Sequence, residues 1–338
     1  MKRVITLGLI AFSLVAMESC HKDTTDTTLG NWAKRSDFDG VARSEAVAFT
    51  INDSAYMGTG YDGRNRLADF WEYNPVQNAW SQRADFPGTA RSSAVGFSAA
   101  GRGFIATGYD GVNYLKDVWE FDPAQNAWTQ KKDFEGSARQ EATAFGIKDK
   151  GYLLGGYDDN YQKDFWEYDP SADTWTRKTF PGSKRMSATA FVINDIAYLA
   201  TGLSNNSYVS DFWSYDPSTD TWTQKRDIAN TSDDSYDDDY TSIVRANAAS
   251  FTIDGKGYIA SGEAGSFATV TWEYDPATDL WTSKSTDGSI TARTSAVGFT
   301  VDNRGFIATG GNGSNGIGSQ YDNMYEFQPN VEVNDKDN

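Results

Sequence analysis

The sequence contains almost none of the side chains on which most hydrolytic and redox sites depend. Its one histidine, His21, and its one cysteine, Cys20, are adjacent and close to the amino terminus. A single cysteine excludes an internal disulfide. The residues after His21 therefore cannot build a histidine-containing catalytic triad, a cysteine protease site or a histidine-rich zinc site. Acid–base chemistry by carboxylates is the catalytic class that the composition leaves open.

Long hydrophobic runs are also scarce, and the longest one is at the amino terminus. Two basic residues precede an uncharged, mostly apolar stretch over residues 4–17. This stretch is too short for a membrane-spanning helix and is typical of a secretory signal. We therefore expect a signal peptide over residues 1–19 and a flexible spacer over residues 20–31.

The tetrapeptide that ends at Cys20 (MESC) resembles the processing site of bacterial lipoproteins. The resemblance implies a lipidated Cys20 on a secreted protein. It also implies anchoring at the outer membrane of a Gram-negative bacterium, on the periplasmic side or at the cell surface. Ordinary signal cleavage beside an incidental cysteine is the alternative.

Positive charge is in short supply. The chain has 30 Lys and Arg against 47 Asp and Glu, and its formal net charge is −17 at pH 7. Such a surface repels nucleic acid and anionic lipid headgroups, so a nucleic-acid partner is disfavoured. Because no second hydrophobic run has spanning length, we expect membrane attachment only through the N-terminal lipid.

The sequence does contain one pattern that is repeated six times. Each copy opens with an arginine before an apolar stretch and continues through a glycine, an aromatic pair and an Asx-Pro turn. The opening arginines are Arg43, Arg91, Arg139, Arg185, Arg245 and Arg293. Repeats of about this length are typical of stacked or radially arranged units.

One copy of the repeat predicts a meander of four antiparallel strands. In the second copy, short apolar or alternating runs cover residues 94–97, 103–107, 117–121 and 127–130. Turn chemistry separates the first run from the second and, at Asp122-Pro123, the third from the fourth. We interpret Gln328-Pro329 as the divergent sixth copy of this turn.

The tryptophans predict how the ring closes. They mark the third and fourth strands of the copies, where large rings fill the space between widening sheets. Trp32 precedes the first opening arginine, whereas the last copy has no tryptophan after Pro329. We therefore expect the segment around Trp32 to supply the outer strand of the last unit.

These features resemble the kelch family of β-propellers, in which a Gly-Gly or Thr-Gly pair follows the second strand. The pairs here are Thr59-Gly60, Thr107-Gly108, Gly155-Gly156, Thr201-Gly202, Ser261-Gly262 and Gly310-Gly311. The resemblance implies an all-β fold over residues 32–338. This fold is a six-bladed β-propeller of four-stranded antiparallel kelch blades, closed by an N-terminal outer strand in the last blade.

In such a propeller, the six arginines and the loops between second and third strands share one face. Converging guanidinium groups could hold a carboxylate, an acidic sugar or an acidic peptide. Some kelch propellers bind acidic peptides through arginines near this position. The alternative is that each arginine ties blades together through carbonyls or a carboxylate such as Glu45 or Glu141.

Features that break the repeat are further site candidates. Glu263 stands where other copies have Tyr61, Tyr109 and Tyr157, and loop tyrosines could stack on sugar rings. An insertion over residues 229–240 could bind calcium through clustered carboxylates, or form a solvated acidic loop. Its carboxylates are Asp233, Asp234, Asp237, Asp238 and Asp239.

We therefore expect a non-catalytic binding module for a carbohydrate or an acidic peptide. An enzyme on an anionic sugar is one alternative, because bacterial sialic-acid epimerases are similar six-bladed kelch proteins, and Glu45, Glu141 or Glu263 could serve as acid or base. A structural subunit of a surface complex is another. Galactose oxidase also resembles this chain, but its copper site needs histidines and a cysteine that the repeats lack.

Overall fold

The structure is a computed structural model that describes residues 29–284, 290–313 and 318–334. The predicted signal peptide, the lipidation of Cys20 and most of the spacer lie outside the described residues. The first strand, β1 (Leu29–Lys34), starts three residues before the predicted boundary of the propeller. No helix in the described part of the chain is long and apolar enough to cross a membrane.

Six sheets of four antiparallel strands form the molecule. Blade 1 contains β2 (Val47–Ile51), β3 (Ser54–Gly58), β4 (Phe70–Asn74) and β5 (Ala79–Gln82). Blade 2 contains β6 (Val95–Ala99), β7 (Arg102–Ala106), β8 (Val118–Asp122) and β9 (Ala127–Lys131). Blade 3 contains β10 (Thr143–Ile147), β11 (Lys150–Leu154), β12 (Phe165–Asp169) and β13 (Thr174–Lys178).

Blade 4 contains β14 (Thr189–Ile193), β15 (Ile196–Ala200), β18 (Trp213–Asp216) and β19 (Thr221–Gln224), with a small hairpin of β16 (Leu203–Ser204) and β17 (Ser207–Tyr208) between them. A 3₁₀ turn, Ser235–Asp237, lies in the insertion. Blade 5 contains β20 (Ala249–Ile253), β21 (Lys256–Ala260), β22 (Trp272–Asp275) and β23 (Leu280–Ser283). Blade 6 contains β24 (Val297–Val301), β25 (Arg304–Ala308), β26 (Met324–Glu332) and β1.

The predicted closure of the ring is confirmed. Strand β1 pairs antiparallel with β26, and this register places Trp32 opposite Phe327 and Lys34 opposite Tyr325. The interpretation of Gln328-Pro329 as a turn is wrong, because β26 continues through Pro329. The fourth strand of this blade comes from the other end of the chain, so no turn is needed. The irregular register opposite Pro329 fits a residue that cannot donate a ladder hydrogen bond.

The hydrophobic core lies between blades, as the tryptophans predicted. One cluster joins Phe299 and Phe306 of blade 6 to Tyr73 and Trp80 of blade 1. The remaining clusters repeat this arrangement around the ring. Each blade is therefore held by two neighbours, which fixes the loops at the axis relative to one another.

A correction concerns the glycine pair of the sixth copy. The residue pair after the second strand has positive φ in every blade, and in blade 6 this pair is Thr309 (φ 60°) and Gly310 (φ 91°). It is therefore Thr309-Gly310 and not Gly310-Gly311. Gly311 instead occupies the position of Tyr61, because it bridges to Thr294 as Tyr61 bridges to Ser44.

Candidate functional site

The six opening arginines are buried inside the blades. In blade 2, Arg91 donates two hydrogen bonds to the carboxylate of Asp117, both 2.7 Å long, and one to the carbonyl of Thr107. Its guanidinium also covers the ring of Phe86 at 4.8 Å. Arg91 has no exposed surface. Its positive charge is therefore matched by Asp117 and is not presented to a ligand.

Three other blades repeat this pair, and two do not. The partners are Asp69, Asp117, Asp164 and Asp211 in blades 1 to 4. Burial alone would raise the pKa of Asp117, but the hydrogen bonds and charge of Arg91 outweigh it and hold the pKa below its usual value. Glu45 and Glu141, which the sequence suggested as partners, do not pair with the arginines.

Arg245 and Arg293 have no carboxylate partner among the described residues. Val270 and Asn323 stand where the other blades have aspartate. Arg245 binds only carbonyl groups, and burial lowers its pKa to about 9. Arg293 has a buried Nη2 without a hydrogen-bond partner, and burial lowers its pKa to about 10. These two blades therefore keep a buried cation that the other four blades neutralise.

Two residues after each arginine, the chain reaches the axis of the propeller. We call these six residues the axial ring: Glu45, Ser93, Glu141, Ser187, Asn247 and Ser295. Each has a φ between 53° and 56°. Each backbone N–H donates to the carbonyl of the preceding member, at 2.9 to 3.2 Å, and Glu45 closes the circle by donating to Ser295. The hydrogen bonds compensate for a left-handed backbone that costs about 1–2 kcal/mol per residue.

The axial ring forms the floor of a small polar recess. We call this recess the axial mouth. Its volume is about 110 Å³. A second cavity of about 170 Å³ lies along the axis, between the axial ring and the six alanines that follow its members. The residues that line the axial mouth are Ser44, Glu45, Ser93, Glu141, Asn247, Glu263, Thr294, Ser295 and Gly313. It therefore combines three carboxylates with hydroxyl and amide groups, and none of its described residues is basic.

Each carboxylate of the axial mouth is positioned by one neighbour. Ser93 donates to Glu45 at 2.9 Å, Ser187 donates to Glu141, and Asn247 donates to Glu263 at 3.3 Å. Burial raises the pKa of Glu141, and the charges of Glu45 and Glu263 raise it further, against the hydrogen bond from Ser187. The three carboxylates are therefore close enough to repel one another.

A belt of tyrosines surrounds part of the axial mouth. Tyr61 and Tyr109 bridge by backbone to the residues just before the axial ring, and Arg66 lies between their rings at 4.8 and 4.9 Å. The contacts continue from Tyr109 to Tyr114 and from there to Tyr157. All of these rings are half-buried. The predicted residues Tyr61, Tyr109, Tyr157 and Glu263 therefore do lie on one face, around the axis.

The acidic insertion has a structural role at the edge of the same face. Asp237 is buried and accepts hydrogen bonds from the backbone of Thr231 and Ser232 at 3.0 Å. Tyr240 packs on Trp272 and accepts a hydrogen bond from the backbone of Trp281. The other insertion aspartates, Asp233, Asp234, Asp238 and Asp239, are exposed. Over the described ranges, no three acidic, histidine or cysteine groups lie close enough to hold a metal ion.

A larger cavity lies on the opposite face, between blades 3 and 4. We call it the blade 3/4 groove, and its volume is about 660 Å³. Its lysines form ion pairs: Lys178 pairs with Glu167 and Asp220, and Lys148 pairs with Asp195. The axial mouth differs from this groove because no lysine or arginine pairs with its carboxylates among the described residues.

Sequence reasoning missed the axial ring as a unit, although the sequence contains a signal for it. The opening arginine is invariant and the third residue after it is always alanine, whereas the second residue after it is Glu, Ser or Asn. A variable position between two invariant ones indicates that packing of the repeat does not require a particular side chain there. The aspartate two residues before the third-strand tryptophan was missed in the same way.

Comparisons with known proteins agree with the six-bladed fold. A family model described as the KLHDC2/KLHL20/DRC7 Kelch-repeats domain matches residues 134–311, just over half of the chain. The solved structure described as "Structure of YjhT" is similar, with a TM-score of 0.71 and 15% identity over 86% of this chain and 96% of that one. At this identity the likeness shows the fold alone. No curated protein matches the chain. The chain belongs to the kelch-repeat β-propeller family.

Proposed function

We propose that this propeller is a carbohydrate-binding module whose ligand enters the axial mouth. The observation that carries the proposal is the combination of half-buried tyrosine rings with carboxylate, amide and hydroxyl groups at one opening. Sugar rings offer apolar faces for aromatic contact and hydroxyl groups that donate to carboxylates. Sites of this kind place a few polar groups in a recess with aromatic walls.

The buried arginines weigh against an acidic peptide as the ligand. Four of the six guanidinium groups are neutralised by aspartate inside their blades, and all six are buried. Glu45, Glu141 and Glu263 face the ligand position instead. An acidic ligand would meet three negative charges at close range, which costs binding energy.

An enzyme acting on an anionic sugar meets the same objection. Such a substrate needs a cation near its carboxylate. No Lys or Arg lines the described axial mouth, and Arg66 lies outside it, between the rings of Tyr61 and Tyr109. Mutarotation of sialic acid by the purified protein tests this alternative. Catalysis at a rate well above the uncatalysed reaction would replace the proposal of a non-catalytic module.

Binding to a panel of immobilised oligosaccharides tests the proposal. We expect Tyr109→Ala to weaken binding several-fold, because one aromatic contact contributes about 0.5–1.5 kcal/mol. Tyr109→Phe keeps the ring and should retain most of the affinity. Tyr236→Ala, which removes an aromatic side chain from the insertion at the edge of the same face, is the matched control and should leave oligosaccharide binding unchanged. Binding to no oligosaccharide would favour a structural subunit of a surface complex.

A further inference from the structure

The three carboxylates of the axial mouth differ from the other partly buried glutamates because they form no ion pair among the described residues. Five glutamates on third strands each pair with a lysine or arginine: Glu72, Glu120, Glu167, Glu273 and Glu326. Within the described ranges, Glu45, Glu141 and Glu263 form no ion pair. A fold that pairs its other partly buried glutamates leaves three of them uncompensated at one opening.

Each of the three carboxylates also keeps one oxygen without a partner in the described structure. The hydrogen bonds from Ser93, Ser187 and Asn247 each occupy one carboxylate oxygen. The other oxygen of each group remains available to accept. The axial mouth therefore offers three charged acceptors to a ligand that can donate.

Thr294 adds a fourth unsatisfied group at the same place. Its side chain is 4% exposed and lines the axial mouth. Its Oγ1 has no hydrogen-bond partner among the described residues. The hydroxyl of Ser92, at the equivalent position of blade 2, also has no partner among the described residues. A buried hydroxyl without a partner costs about 1–3 kcal/mol, and Thr294, unlike Ser92, lines the recess, where a ligand could supply that partner.

The size of the recess limits what can enter. A volume of about 110 Å³ is well below the roughly 300 Å³ of a pocket that encloses a whole small-molecule ligand. It can take one polar end of a ligand whose remainder lies outside, against the tyrosine belt. Over the described ranges, no three acidic groups are arranged to hold a metal ion. These acceptors suit a hydrogen-bond donor.

We propose that the axial mouth binds the protonated amine of an amino sugar, with Glu45, Glu141 and Glu263 as acceptors and Thr294 beside them. A primary ammonium group carries three N–H donors, which matches the three available carboxylate oxygens. This inference rests on the proposed carbohydrate function and names the class of sugar. It also explains why a repeat that tolerates serine or asparagine in the axial ring carries glutamate in two blades.

Calorimetric titration of the protein with glucosamine, N-acetylglucosamine and glucose tests the inference at neutral pH. The three sugars share a pyranose ring and differ in the substituent at one position, which is charged only in glucosamine. We expect glucosamine to bind at least tenfold more tightly than the other two, since hydrogen bonds to charged groups contribute about 1.5–3 kcal/mol. Equal affinity for all three would overturn the inference and leave the carbohydrate proposal standing.

Variants locate the effect. Glu141→Gln keeps the shape of the side chain and its acceptor for Ser187, and should reduce glucosamine affinity about tenfold while leaving the fold intact. Glu135→Gln makes the same change of net charge on an exposed outer loop, where Glu135 pairs with Lys132. It should have no effect. Equal losses in both variants would mean general electrostatic attraction and would overturn the inference.

A last comparison separates the two proposals. The simple amine 1-aminopentane carries one ammonium group without a sugar ring. We expect it to bind much more weakly than glucosamine. If it binds as tightly, the site recognises amines in general, and the carbohydrate proposal fails although the role of the carboxylates stands.

Discussion

The pairing of Arg91 with Asp117 makes a sharp prediction about stability, because the same chain contains blades with and without the pair. Asp117→Asn removes the charge and keeps the size of the side chain. Arg91 has no exposed surface and donates two hydrogen bonds of 2.7 Å to the carboxylate. Loss of one partner of a buried pair costs about 3–5 kcal/mol, so we expect a loss of free energy of unfolding of about 3 kcal/mol.

The reverse substitution is available in blade 6. Asn323 stands where blade 2 has Asp117, and both its Oδ1 and the Nη2 of Arg293 are buried without a partner. Asn323→Asp should therefore raise the free energy of unfolding by about 1.5–3 kcal/mol, the contribution of a hydrogen bond to a charged group. One substitution removes a negative charge and the other introduces one at the equivalent position.

Urea denaturation followed by tryptophan fluorescence measures both effects. The pKa of Asp117 lies below its usual 3.8, so its contribution is present above that pH and is lost as the pH falls further. The difference between the wild type and Asp117→Asn should shrink accordingly in acid. If Asn323→Asp destabilises the protein or Asp117→Asn is neutral, the carboxylates do not serve to neutralise the buried arginines.

Three further outcomes follow from the structure. Glu141→Gln should stabilise the protein at neutral pH, because the raised pKa of Glu141 means that its ionised form is unfavourable in the folded protein. The gain should disappear below about pH 4.5, which a pH series of melting temperatures checks. Trp32→Ala should cost about 3–5 kcal/mol, as much as Trp175→Ala in an internal blade; a loss under about 1 kcal/mol in urea denaturation would contradict the closure. Gly103→Val should cost about 1–3 kcal/mol by the same measurement, because a Cβ there would lie 2.1 Å from the ring of Phe49 in the next blade.

The fold could be predicted because the information for it is local and repeated. Strands expected over residues 103–107 and 117–121 are observed as Arg102–Ala106 and Val118–Asp122. Turn residues and alternating apolar positions act within a few residues, and six copies average out errors in any one of them. The sixth copy was misinterpreted at Gln328-Pro329 because its fourth strand comes from the other end of the chain.

The site was predicted less well because its contacts are not local. Arg91 and Asp117 are 26 residues apart. Glu45 and Glu141 lie only two residues after their own arginines, and nothing in the spacing shows that the distant aspartate, rather than such a near carboxylate, is the partner. The axial ring forms by hydrogen bonds between adjacent blades, at residues with a left-handed backbone. The sequence shows that Glu141 lies two residues after its arginine. It does not show that the left-handed backbone there directs the side chain toward the axis.

A crystal structure of the protein with bound glucosamine would show where the amine lies. We expect the sugar at the axial mouth, with its nitrogen within hydrogen-bond distance of the carboxylates of Glu45, Glu141 or Glu263. Glucosamine bound in the blade 3/4 groove, or at the axial mouth with its amine turned away from all three carboxylates, would contradict it.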